Sequence, residues 1–252
     1  CRLSRSSRPE VAYSALSVIA QLAKQTPHLF TPAVADFFTS AADPAYLAEL
    51  RIELLALLAS PATVAPISRE LTAHLRSPSA ALARCAARAV AECATRMPSI
   101  AEPCLASLVS MLSCGDDETI AAAIASIHRV LQSPSLPPQP RVVAGLALLL
   151  PTVENANARA SLVWCVGDYV SELPQLAPEI LRKLLNSFHD EPPSVKLQAL
   201  TLAAKCAARS LPSSHLMLRY AIDLARFDMD CDVRARARLL AALDPAHKAA
   251  AA

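Results

Sequence analysis

The chain of 252 residues is 54% hydrophobic, 18% charged and only 4% aromatic, with three Gly against 20 Pro and a formal net charge of +2. Gly115, Gly145 and Gly167 are too far apart to form a phosphate-cradling loop, which excludes P-loops, dinucleotide fingerprints and the nucleophile elbow, and the scarcity of turn glycines and strand formers excludes an all-β sandwich or barrel. The near balance of 24 Lys+Arg against 22 Asp+Glu offers no concentrated basic field for nucleic acid, and the longest apolar run, Val142 to Leu150, is far short of the ~20 residues that a membrane-spanning helix needs.

The first residues, with Arg2, Arg5 and Arg8, carry no apolar stretch of signal-peptide type, and the chain reads as an internal piece of a longer protein. Helical apolar stripes then follow in pairs over 9–25 and 33–41, 45–59 and 63–76, 80–97 and 99–113, 117–132 and 139–151, 157–171 and 175–189, and 194–210 and 214–227. A last helix is predicted over 231–243. In one of them, Leu197, Leu200, Ala204, Ala207 and Leu211 recur at the spacing of a single helix face. The breaks carry Thr26-Pro27, Asp43-Pro44, Ser60-Pro61, Ser77-Pro78, Met97-Pro98, Leu173-Pro174 and Leu211-Pro212, so proline ends helices where glycine is scarce.

The segments Val11 to Ala23 and Val195 to Ala207 align on Val, Ala, Leu, Ala and Ala, which sets a repeat of about 37 residues. A basic residue near the start of an apolar helix repeats on that rhythm at Arg51, Arg84, Arg159, Lys196 and Arg234, with Ala121 at the skipped position. The expected fold is all-α, a HEAT/armadillo-like solenoid of stacked helix pairs forming a single domain over 1–252. The proline-rich stretch Ser133 to Pro140 reads as a stiff loop inside the fourth unit.

Little chemistry stands out. The eight Cys show no Cys-x-x-Cys pair and no His at zinc-ligand spacing; Cys85, Cys93, Cys165 and Cys206 fall in apolar runs, where a thiol acts as a small hydrophobe. Their free thiols suit a reducing, cytosolic compartment. Asp228, Asp230 and Asp232 open like a calcium loop, but Val233 and Leu239 stand where the loop needs Gly and Glu, so helix capping is the better account; Gly115-Asp-Asp-Glu118 reads the same way. Arg234, Arg236 and Arg238 cannot share one helix face; one is expected to pair with a carboxylate of the preceding unit and another to face water. The six His are scattered and lie near no nucleophile and acid at suggestive spacing. No catalytic residue, metal ligand or cofactor is expected. The mid-helix Gly167 beside the only Trp, Trp164, reads as a point where a neighbouring helix approaches closely.

Several runs resemble the trunk of beta-adaptins: Arg8 to Tyr13, Phe37-Phe38 with Asp43-Pro44, Leu50 to Leu54, Ala158-Arg-Ala-Ser-Leu-Val-Trp-Cys-Val-Gly-Asp168, and Asp232-Val-Arg234. Within that family, Ala177 to Lys183 and Phe227 to Arg234 look closest to the branch found in adaptor-protein complex 3. Val18 and Ala235 depart from the family pattern. The resemblance marks Arg159, Trp164, Gly167, Asp168, Asp232 and Arg234 as structural signature residues. It implies the later trunk of a non-enzymatic scaffold in a heterotetrameric vesicle-coat adaptor, sorting cargo from Golgi or endosomes to lysosome or vacuole. The implied partners are a medium subunit and the other large subunit, with no nucleic acid and no small-molecule substrate. The implied location is cytoplasmic and peripheral on vesicle membranes. Leu240 to Asp244 faintly resembles a clathrin-box peptide but lacks bulk at Ala241. The alternatives are another armadillo-type scaffold such as a nuclear-import receptor, for which the chain lacks a Trp/Asn ladder, and an all-helical enzyme, which needs a polar pocket with perturbed pKa values.

Overall fold

The computed structural model describes residues 2–6, 8–40, 42–113, 116–134, 136–211 and 213–243. Among them every regular element is helical. Cys1, Cys114, Gly115, Pro212, Asp244 and His247 lie outside the described residues, as does the Arg2 side chain.

The chain divides into two compact units, residues 1–137 and 138–252, with the division inside the proline-rich stretch. In the first unit, α1 (Pro9–Gln25), α2 (Ala45–Leu58), α4 (Ala80–Arg96) and α6 (Asp117–Leu131) pack one against the next as a layer. A second layer, α3 (Val64–His74) and α5 (Ala101–Met111), covers α4. In the second unit, α8 (Ala156–Asp168), α10 (Pro193–Ala208) and α12 (Cys231–Leu243) form the first layer, and α7 (Pro140–Leu148), α9 (Leu176–Asn186) and α11 (Ser214–Ala225) the second. Each unit is thus a stack of helix pairs, the expected solenoid arrangement, and α2 to α12 end within three residues of the predicted stripes.

The layers explain the composition. α4, enclosed on several sides, buries Ala83, Cys85, Ala86, Ala87, Ala89, Val90, Ala91, Cys93 and Ala94. Small side chains let helices approach closely while still removing apolar surface from water. α9, covered on one side only, buries Ile180, Leu181, Leu184 and Leu185 and exposes Glu179, Arg182, Lys183 and Asn186. Cys85, Cys93, Cys165 and Cys206 are buried and free, and so is Cys104, which the sequence reading passed over. Burial pushes the Cys93 and Cys165 thiols up to about 12 and those of Cys85 and Cys206 to about 11, so each stays an inert thiol at neutral pH.

Two local expectations fail. The stripe over 33–41 is not an α-helix. Thr31–Phe37 is a short 3-10 segment broken at Ala33 (φ −104°, ψ 17°), and an extended stretch follows it. Ala33 leaves helical φ/ψ directly after Pro32, and Thr39 and Ser40 are held outside a helix by the side chains of Glu70 and Asp43.

Proline is also not the whole stop signal at the end of α10. Ser210 takes φ 51°, its N–H donates to Ala207 O at 2.8 Å, and Leu211 N–H donates to Cys206 O at 3.3 Å. Those two bonds are a Schellman cap, a site where glycine is favoured because an L side chain in the left-handed region costs roughly 1 kcal/mol. Ser210→Gly is therefore expected to stabilise the chain by about 1 kcal/mol, read as a higher urea midpoint with an unchanged slope.

Candidate functional site

The most heavily built polar feature is the row of bases on the first-layer helices. Arg51, Arg84, Arg159, Lys196 and Arg234 stand in the first half of α2, α4, α8, α10 and α12. Arg159 shows the full pattern. Its Nε and Nη2 donate to both oxygens of Glu191, beyond α9, while Nη1 donates to Leu150 O and to Val153 O (3.1 Å) just after α7. One guanidinium thus joins the loop before its own helix to the loop one repeat later. Carbonyls at helix ends carry partial negative charge, and a planar five-donor group can take several at once.

The others make parts of the same pattern. Arg51, 5% exposed, donates to Ser4 O (2.8 Å) and Asp36 O (3.3 Å), with Nε 2.9 Å from Asp43 Oδ2. Arg84 Nη1 lies 2.7 Å from Glu118 Oε2. Lys196 Nζ meets Asp228 Oδ2 at 2.8 Å, both groups buried, and stands 5.7 Å from the centre of the Phe188 ring. Arg234 Nη1 donates to Asp228 O (2.7 Å) and Met229 O (2.8 Å). Asp228 therefore serves two successive bases, by carboxylate and by carbonyl. Burial opposes its ionised form, but the Lys196 hydrogen bond and charge, the Asp230 N–H and the nearby His189 together hold the carboxyl below its ordinary value.

Arg159 and Arg234, two of the signature residues, belong to this row. The expectation that one of Arg234, Arg236 and Arg238 pairs with a carboxylate is corrected. Arg234 binds loop carbonyls, Arg236 reaches Thr201 Oγ1 on α10 at 3.2 Å, and Arg238 is exposed. Asp232 is exposed in the first turn of α12 and donates its N–H to the capping Asp230 carboxylate.

Trp164, Gly167 and Asp168 lie elsewhere, on the side of α8 that faces α10. Lys205 joins them: Nζ is 2.7 Å from Asp168 Oδ1 and 5.6 Å from the centre of the Trp164 ring. A Cβ at Gly167 would meet Lys205 Cδ at 3.5 Å and Leu202 Cδ1 at 3.7 Å, which is ordinary contact with side chains rather than collision with a backbone. α8 and α10 pack against each other here, but their approach leaves room for a Cβ at residue 167.

The partners missed in the sequence were Glu191, Asp228 and Lys205. A signal existed: Glu191 and Asp228 each fall 32 residues after the base they pair with, and Lys205 falls 37 after Asp168.

Other clusters do not assemble a reaction centre. Thr39 Oγ1 lies 2.7 Å from both Glu70 Oε1 and His74 Nε2, a grouping that sequence spacing did not suggest. The carboxylate approaches the same His nitrogen, at 3.4 Å, instead of orienting the far one, and it also accepts the Thr39 N–H. That geometry ties a loop to α3; it is not a nucleophile–base–acid relay. Asp230, Cys231 and Asp232 bring three ligand atoms within 4.8 Å of one another, but Asp230 Oδ1 already caps α12 through the N–H groups of Asp232 and Val233.

The profile of the adaptin N-terminal region matches residues 1–244. The chain belongs to the adaptin N-terminal region family. It is 32% identical over 243 residues to mouse AP-3 complex subunit beta-1, an alignment covering 95% of this chain and 21% of that protein. To mouse AP-1 complex subunit beta-1 it is 28% identical over 226 residues, 89% of this chain and 24% of the relative. It thus spans less than a quarter of the length of these two relatives. Among structures, a homology model of the full-length AP-3 complex in an intermediate open conformation superposes with a TM-score of 0.79 at 22% identity, covering 96% of this chain and 44% of that one. A designed armadillo repeat protein superposes at 0.58 with 18% identity, over 83% and 98% of the two chains. These two likenesses are of fold.

Two outcomes test the polar features. Breaking the buried pair with Asp228→Leu should cost about 3–5 kcal/mol, whereas Lys196→Met with Asp228→Leu should cost much less, because the first variant leaves a buried charge alone. The lowered carboxyl fixes the sign with pH. The stabilisation is present above the ordinary carboxylate value of 3.8 and is lost as pH falls through the lower folded value, so the wild-type advantage in urea melts should vanish in acid. Gly167→Ala should raise stability by about 1 kcal/mol, since the added Cβ makes only ordinary van der Waals contact and alanine is the better helix former; a fall in thermal midpoint would show that α10 packs closer than ordinary contact.

Proposed function

We propose that the chain is the later trunk of one adaptin N-terminal domain, with residues 1–252 acting as a non-enzymatic scaffold in a heterotetrameric vesicle-coat adaptor of the complex-3 type. The family match along nearly the whole chain, together with 32% identity to an AP-3 beta subunit, carries this reading. Stacked helix pairs suit the role: they hold many side chains at fixed spacing, so modest contacts add up over a large surface. The polar clusters support it as well, since their donors and acceptors are spent on caps and on joining repeats.

On this reading the partners are the medium subunit and the other large subunit, and membrane association is peripheral, through the assembled complex. No helix among the described residues is long and apolar enough to cross a membrane. The route served runs from Golgi or endosomes toward lysosome or vacuole. Co-expression of the chain with tagged medium and large subunits of an AP-3 complex tests the assignment. Co-elution of all three on size exclusion is the expected result. A folded, helical chain that elutes alone, or that prefers AP-1 subunits, would refute the complex-3 reading.

A further inference from the structure

α11 keeps an apolar stripe in water. It buries Ser214, Leu218, Ala221, Ile222 and Ala225 toward α9, α10 and α12. On the opposite face Leu216 is 68% exposed, Tyr220 53% and Phe227, just past the end of the helix, 81%. The repeat shows that its layer does not ordinarily present such a face. Glu191 and Asp228, each paired with a base 32 residues before it, mark equivalent positions one repeat of 37 residues apart. The buried Leu181, Leu184 and Leu185 of α9 stand the same step before Leu218, Ala221 and Ile222. On that alignment α9 puts Glu179, Lys183 and Asp190 in water where α11 puts Leu216, Tyr220 and Phe227. α3, α5, α7 and α9 contain no aromatic residue at all.

The order of side chains along the stripe points to what covers it. Leu216, Tyr220, Asp223 and Phe227 step by 4, 3 and 4, the spacing of a seam along which two helices pack. Asp223, exposed in the middle, needs a donor from whatever covers it, and Tyr220 offers a phenolic O–H. A seam that runs apolar, donor, acceptor, apolar is complementary to itself in reverse. Two antiparallel copies of α11 related by a two-fold axis set Leu216 of each on Phe227 of the other, and the Tyr220 hydroxyl of each on the Asp223 carboxylate of the other. Arg219 flanks the Tyr220–Asp223 layer and adds positive charge beside the carboxylate, while Arg226 lies over its own Phe227 ring at 5.6 Å. A lipid surface would accept the apolar side chains but supplies no donor to a carboxylate set among them.

We propose that the outer face of α11 is a self-docking surface, on which two copies of the chain pair through antiparallel α11 helices, Leu216 against Phe227 and Tyr220 against Asp223 across a two-fold axis. Four side chains per copy cover well under the ~800 Å2 per partner of stable complexes, so the pairing is weak, with a Kd of ~10–100 μM. This surface is separate from the scaffold assignment: self-pairing and subunit co-elution can each succeed or fail alone.

Sedimentation velocity of the 252-residue chain, from about 5 to about 500 μM so as to span that Kd, tests it. A reversible monomer–dimer equilibrium is expected. Leu216→Glu and Phe227→Lys each spoil both symmetric contacts and should each weaken pairing roughly tenfold. Tyr220→Phe should weaken it roughly fivefold, because both carboxylates in the seam lose their donor. Mixing the Leu216→Glu and Phe227→Lys variants should pair roughly fivefold more tightly than either alone, since the antiparallel register then forms one Glu–Lys contact and keeps one Leu–Phe contact. All three positions are exposed, so circular dichroism of the variants should match the parent. A chain that stays monomeric throughout overturns the proposal, and flotation of that monomer with phosphatidylcholine–phosphatidylserine vesicles would make the occupant a lipid surface. Self-association that all three substitutions leave unchanged overturns it as well, and so does a loss of pairing that mixing fails to recover.

Discussion

A buried cation has to be satisfied from several sides at once, and in this chain that requirement links one repeat to the next. Arg159, part-buried, makes the fullest set of bonds. It gathers carbonyls that follow α7 and a carboxylate that follows α9, so two loops converge on one guanidinium. Lys196 and Arg234 continue the row through Asp228. Hydrophobic burial is not directional and would tolerate small slips between neighbouring helix pairs. A buried ion pair does not, because a displaced partner leaves an uncompensated charge. The row adds registry to packing that is otherwise made of interchangeable Ala and Leu contacts.

That division of labour agrees with the composition. Small residues and free thiols fill α4 and α10, where helices press from several directions, and larger aliphatic residues fill the single buried face of α9. Cysteine here is a packing residue, kept protonated by burial. The scarcity of glycine has a local cost that surfaces at Ser210, where an L residue holds the left-handed position of a Schellman cap. Gly167 is a helix residue without a steric reason, since the nearest atoms that an added Cβ would meet belong to the Lys205 and Leu202 side chains at ordinary contact distance.

Much of the fold was legible because its signals are local. Helix stripes, proline breaks, a capping residue such as Asp116, and a basic residue recurring at the repeat period all operate within a few turns of chain. The reading failed over 33–41, where apolar periodicity lost to the non-helical backbone at Ala33 and to side chains that hold Thr39 and Ser40. The candidate site was half legible. The bases were found as a periodic series, while Glu191, Asp228 and Lys205 were missed, though each stands roughly one repeat from its partner.

The sequence by itself determined an all-helical repeat, its period, most of its breaks and its family, because periodicity and punctuation are written residue by residue. Only the tertiary structure decided which acid meets which base, that Arg234 binds carbonyls instead of a carboxylate, and that Thr39, Glu70 and His74 come together. Those outcomes depend on the paths of loops and on how far each helix runs before its neighbour covers it. The pairings of Glu191, Asp228 and Lys205 and the contact of Thr39 with Glu70 join segments 31 to 37 residues apart and have no local trace in the chain.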